Sequence, residues 1–169
     1  MIDLLVDYNV LEDLHLNKKG KITAVALILS LILTGCGKDP ELTRFKTNFE
    51  NFCINISTLD TSINNINAES DTAITELLGY IDELENQFTL LANLDFPEEF
   101  DYLEELADQA GDYMKEAASS YHEAYANDTY DASISEYAYK NYKRAYKRIQ
   151  IILIYLHGEE PQDEDLISD

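Results

Sequence analysis

The stretch FKTNFENFCINISTLDTSINNI, residues 45–66, decides the fold. Its apolar residues Phe45, Phe49, Phe52, Ile56, Leu59, Ile63 and Ile66 follow one another at steps of 4, 3, 4, 3, 4 and 3. A half-buried strand would alternate at every second residue. Steps averaging about 3.5 residues instead draw one unbroken stripe along a helix, which must be buried against other helices. Just upstream, Asp39-Pro40-Glu41 supplies an N-cap acid, a proline at the first helical position and an acid in the first turn. Downstream, Asn64, Asn65 and Asn67 weaken the helix.

The same spacing returns three times. Ser70 or Asp71 can cap a second segment, whose stripe runs through Ile74, Leu77/Leu78, Ile81, Leu84, Phe88 and Leu91. The run from Asn93 to Pro97 breaks it; Asp95 and Glu98 have capping-box spacing, and Pro97 falls in the first turn of a third helix. That helix carries Leu103, Leu106, Ala110, Tyr113, Ala117, Tyr121 and Ala124. Its Gly111 costs about 1 kcal/mol relative to alanine, which points to close packing there. After Asn127-Asp128-Thr129, a fourth stripe passes through Ile134, Ala138, Tyr142, Ala145, Ile149, Ile152 and Leu156. His157 and Gly158 end it, with Pro161 beyond.

Four amphipathic segments with short connections predict an all-α, antiparallel up-down bundle of four helices over residues 36–158. The alternative is a three-helix bundle with a peripheral or broken second helix. In the up-down arrangement the start of the first helix, the turn before Pro97 and the run Ile151–Leu156 share one end. The turns at 67–71 and 127–131 lie at the other. Residues 159–169 hold six acids and are expected to be a disordered tail.

Residues 17–36 read in the order of a secretory signal: Lys18, Lys19 and Lys21, then 12 apolar-rich residues from Ile22 to Leu33, then small residues. A bilayer-spanning helix needs about 20 apolar residues, so this segment reads as a leader and not a permanent span. Leu33, Thr34, Gly35 and Cys36 stand at its end. At this point the chain resembles the bacterial lipoprotein class, whose lipobox has this Leu-small-Gly-Cys form. The resemblance covers only the leader. It implies that the Cys36 sulfur takes a diacylglyceryl group and that cleavage falls just before Cys36, leaving residues 1–35 as the leader. Acyl chains contribute about 0.8 kcal/mol per buried methylene, and two or more anchor a soluble domain stably. The implied location is the outer face of the cytoplasmic membrane or the cell surface of a bacterium.

Residues 1–16 depart from that class. They hold Asp3, Asp7, Glu12 and Asp13 and neither lysine nor arginine, the wrong charge for a signal's first region. The expectation is a misassigned start, with translation opening near Leu16. The rival reading is a small acidic helix built on Leu4, Leu5, Tyr8, Leu11 and Leu14.

From Cys36 onward there are 9 Lys+Arg against 29 Asp+Glu, a net charge of −20. Such a surface repels polyanions, which argues against nucleic acid as a partner. Cys53, between Phe52 and Ile54, reads as a small buried hydrophobe with no disulfide partner. Eight of the 12 tyrosines lie between Tyr113 and Tyr146, alternating with alanines. They are expected to pack large against small across a tight helix pair, with hydroxyls reaching the surface. Tyr139, off the core stripe, is the candidate for a partner surface.

Lys140, Lys143, Arg144, Lys147 and Arg148 come level with residues 109–117 in an antiparallel hairpin. Asp108, Asp112 and Glu116 are their expected partners. Ile151 and Ile154 extend this basic face and are a candidate docking patch, or are buried under 37–42. His122 lacks the paired Glu-x-x-His of a two-metal carboxylate site, and His157 reads as a partner of its helix's C-terminal dipole. No catalytic set, metal site or cofactor motif is read. The expected function is a lipid-anchored module that binds a protein or peptide, or serves structurally, at the cell envelope. A small-ligand or cation carrier and an envelope enzyme are the alternatives.

Overall fold

The computed structural model describes residues 40–126 and 130–162. The expected leader and lipobox with Cys36, the question of residues 1–16, residues 37–39, residues 127–129 of the expected 127–131 turn and the last seven residues lie outside the described residues. Those described form α1 (Pro40–Asn64), α2 (Ala73–Ala92), a 3-10 segment (Glu98–Leu103) that runs into α3 (Glu104–Ala124), and α4 (Ala132–Leu156). This is the four-helix all-α bundle. The alternative with a broken or peripheral second helix is set aside: α2 is continuous, and its Leu84 and Phe88 are completely buried.

Contacts between helices fix the antiparallel order. Phe45, near the start of α1, meets Phe96 and Phe100 with ring centroids 5.0 and 5.8 Å apart. Tyr102 of the 3-10 segment meets Tyr155 near the end of α4 at 5.7 Å. The start of α1, the 93–97 turn and the end of α4 therefore share one pole, and the 65–72 turn stands at the other.

The two halves of the bundle are spaced differently. Ala107, Ala110, Ala117, Ala118 and Ala124 of α3 and Ala138 and Ala145 of α4 are all buried. Small side chains let backbones approach, and α3–α4 is the most extensively packed helix pair, followed by α2–α3. At Gly111 the α2–α3 approach reaches its limit: a β-carbon there would stand 3.2 Å from Ala92 Cβ and 3.6 Å from the Phe88 carbonyl oxygen. The main backbone approach of α1 is to α2, and it is the sparsest of these helix pairs. It reaches α4 through long side chains.

Helix ends differ from the expected caps in two places. Neither Ser70 nor Asp71 is the N-cap of α2; the position falls to Thr72, whose backbone N–H is held by Ser70 Oγ at 3.2 Å. The capping box of Asp95 and Glu98 does not form either. Pro97 is extended, with φ −62° and ψ 151°, and the chain enters α3 through the 3-10 segment. That entry lets Phe96 and Phe100 both close on Phe45. The start of α4 is capped by Asp131, whose carboxylate accepts the N–H groups of Ser133 and Ile134 at 2.9 and 3.1 Å. Its end is a Schellman motif: Gly158 has φ +75°, its N–H donates to Tyr155 O at 2.8 Å, and Glu159 N–H donates to Ile154 O at 3.1 Å.

Gly111→Leu is expected to destabilise the fold by about 1–3 kcal/mol, because the larger side chain must push α2 and α3 apart. Urea unfolding of the variant beside the parent measures it.

Candidate functional site

The aromatic residues form one connected column. Tyr139 stacks on Tyr142 at 6.3 Å, Tyr142 meets Tyr146 at a tilt with centroids 4.8 Å apart, and Tyr146 meets Phe88 at 5.5 Å. Phe88 then meets Phe52 edge-on at 5.4 Å, and Phe52, Phe49 and Phe45 continue down α1. The three tyrosines fall at i, i+3 and i+7 of α4, so they line one helix face. Large rings fill the wider gap between α4 and α1, where small residues would leave cavities.

Two of these tyrosines carry chemistry into the core. The hydroxyls of Tyr142 and Tyr146 both donate to Asp60 Oδ1 of α1, the latter at 2.9 Å. Asp60 is half-buried, and a carboxylate removed from water needs such donors. Burial raises both hydroxyls well above the ordinary tyrosine range. The neighbouring tyrosine and the Asp60 charge push Tyr142 further, and the Asp60 charge does the same to Tyr146. The expectation that the tyrosine hydroxyls reach the surface is thus corrected for this pair. Tyr121, almost fully buried, is raised for the same first reason, loss of water. Asp60 was not read from the sequence as a site residue. Its signal is position: four after Ile56 and three before Ile63, it is an acid on the flank of a buried stripe.

Tyr139 is half-buried, not free, with Lys143 Nζ 4.7 Å above its ring. The more open tyrosines are Tyr137 and Tyr102, at 47% and 55% exposure. Ile151 is corrected as a docking residue: it is only 3% exposed. It lies between Arg148 and Tyr155 on a face whose contacts go to α3 and the 3-10 segment, so the patch is turned inward there. Ile154 is half-buried.

The basic residues of α4 do come level with 109–117, but the arginines meet different partners from those expected. Arg148 Nε donates to Gln109 Oε1 at 2.8 Å, and the Arg144 and Arg148 guanidiniums sit 5.8 and 5.3 Å from the Tyr113 ring. Lys140 pairs within its own helix with Glu136 at 2.8 Å. Cation–π contact and an amide replace the charge pairs expected with Asp108, Asp112 and Glu116.

Cys53 is buried, and loss of water, with the Glu50 charge second, pushes its thiol up to about 12, which keeps it protonated. His122 Nε2 lies 2.7 Å from Asp82 Oδ1 of α2 on an exposed surface. His157 occupies the C-cap of α4, with its Nε2 buried and without a hydrogen-bond partner. Among the described residues no three His, Cys, Asp or Glu side chains are grouped to hold a metal ion. Comparison with protein-family models, with curated proteins and with solved structures finds no match.

The tyrosine pair sets an alkaline limit. Both hydroxyls titrate higher in the folded chain than in the unfolded one, so their contribution is complete below about pH 10 and declines as pH rises past it. The double variant Tyr142→Phe, Tyr146→Phe is expected to lose about 1–3 kcal/mol at neutral pH, because Asp60 loses two donors. It should also show a shallower fall in thermal midpoint above about pH 10. Thermal melts across the alkaline range read both.

Proposed function

We propose that the chain is a lipid-anchored, extracytoplasmic helical-bundle lipoprotein. In this reading it stands on the outer face of the cytoplasmic membrane or on the cell surface of a bacterium, and it binds a protein or peptide partner or acts as a structural module there. One observation carries the reading: Leu33-Thr34-Gly35-Cys36 closes a 12-residue apolar-rich segment that follows three lysines. The bundle's position supports it. α1 opens at Pro40, so only Gly37, Lys38 and Asp39 separate the acylated sulfur from a packed domain. No described helix is long and apolar enough to cross a membrane, so among the described segments attachment would fall to the lipid. Exposed Tyr102 and Tyr137 offer aromatic, polar-tipped surface of the kind enriched at protein interfaces.

Growth with a clickable fatty acid and fractionation of cells test the anchor. The parent is expected to take up the label and sediment with membranes. Cys36→Ala is expected to lose the label and either keep its leader or leave the membrane fraction. A Cys36→Ala protein that fractionates and migrates like the parent refutes the reading. Crosslinking on intact cells then identifies the partner.

A further inference from the structure

We infer that α1 is a detachable arm: it opens and closes as a unit against a three-helix core of α2, α3 and α4, and Asp60 is the pin that holds it shut. The inference concerns the bundle alone and stands independently of any lipid on Cys36. Three separate observations lead to it.

The first is spacing. α3 packs closely on both α2 and α4 through alanines and Gly111, whereas the main backbone approach of α1 is to α2 and is the sparsest of the three helix pairs; it meets α4 through aromatic side chains. Removing α1 leaves the α2–α3 and α3–α4 contacts untouched.

The second is the intrinsic weakness of α1 as a helix. Ten of its 25 residues are Ser, Thr or Asn, and none is Ala, while α3 holds five alanines in 21 residues. The weakness shows in the hydrogen bonds. Thr47, Thr58, Thr61 and Ser62 each donate a hydroxyl to the carbonyl four residues back, and Asn64 does so with its amide. Such back-bonding slightly destabilises a helix, and these residue types compete with helical hydrogen bonds when the chain loosens. α1 therefore depends on its apolar stripe more than its neighbours do.

The third is where the polar ties fall. Arg44–Asp95 spans 3.8 Å between side chains 63% and 84% exposed, and Asn55–Gln87 is also exposed. Exposed pairs of this kind contribute little. Asp60 differs, because its carboxylate takes two tyrosine hydroxyls within the α1–α4 seam. Opening the arm breaks both bonds at once and returns the carboxylate to water. Local openings below the energy of global unfolding are the ordinary behaviour of a segment with these features.

Hydrogen–deuterium exchange of the full chain, read by mass spectrometry, tests this. Peptides within 40–64 are expected to exchange together, at least about ten-fold faster than core peptides of α3 and α4. Asp60→Asn is expected to speed the 40–64 peptides by about a further ten-fold, and those of α3 and α4, which exchange through global unfolding, by no more than the same factor, so that α1 stays the faster-exchanging unit. Tyr146→Phe, which removes one donor and keeps the ring, should give the same pattern at smaller size and serves if Asp60→Asn does not fold. Equal exchange of α1 and α3–α4 in the parent overturns the arm. Peptides within 40–64 that exchange no faster in the folded variants than in the parent overturn the pin.

Discussion

Side-chain size sets helix spacing, and the other features of this bundle follow from how unevenly size is distributed. Alanine dominates the inner face of α3 and recurs on α4 at Ala138 and Ala145, so these two helices close on each other. α1 presents phenylalanines instead, and cannot come so near. The gap on its side is filled by Tyr139, Tyr142 and Tyr146 from α4 and by Phe88 from α2. Gly111 belongs to the same logic: a β-carbon there would crowd Ala92, at 3.2 Å from its Cβ. A cross-section with one tight pair and one wide seam is the result.

The wide seam also explains why tyrosine, and not phenylalanine, fills it. A ring that spans the gap carries its hydroxyl to the far helix, and there Asp60 needs donors. Filler and hydrogen-bond donor are one side chain. Breaking such a pairing on one side leaves the other partner without its hydrogen bond.

Periodicity carried the fold because helices sort by their apolar stripes, and the stripe of residues 45–66 is unbroken over three repeats. Phe45, Phe49, Phe52, Ile56 and Ile63 are buried as their spacing demands. Gly111 and Gly158 were legible too, since a glycine within or just after a helical stripe has few other reasons to be there. Less legible were choices made by tertiary packing. The segment from Asp95 to Glu98 has the letters of a capping box, yet two phenylalanines closing on Phe45 win over one side-chain bond. Arg144 and Arg148 had carboxylates within reach of their predicted level and settle on Tyr113 and Gln109. Ile151 continues a basic face on a helical wheel, but that face turns towards α3. Asp60 escaped because a stripe is found by counting apolar residues, and an acid on its flank does not register. The proposed lipobox at residues 33–36 is the reverse case, resting wholly on sequence.

An even number of helices has a mechanical consequence. The chain enters α1 and leaves α4 at the same pole, beside Phe96 and Tyr155. Tension applied between residue 40 and residue 162 would therefore peel α1 from α4 one turn at a time, like a zip. It would not shear their whole contact at once. Resistance at each moment would come from a single layer, Phe45 first and the Asp60 layer later. A domain loaded this way yields in steps at low force, and its strength under load is set by its weakest layer and not by its total stability.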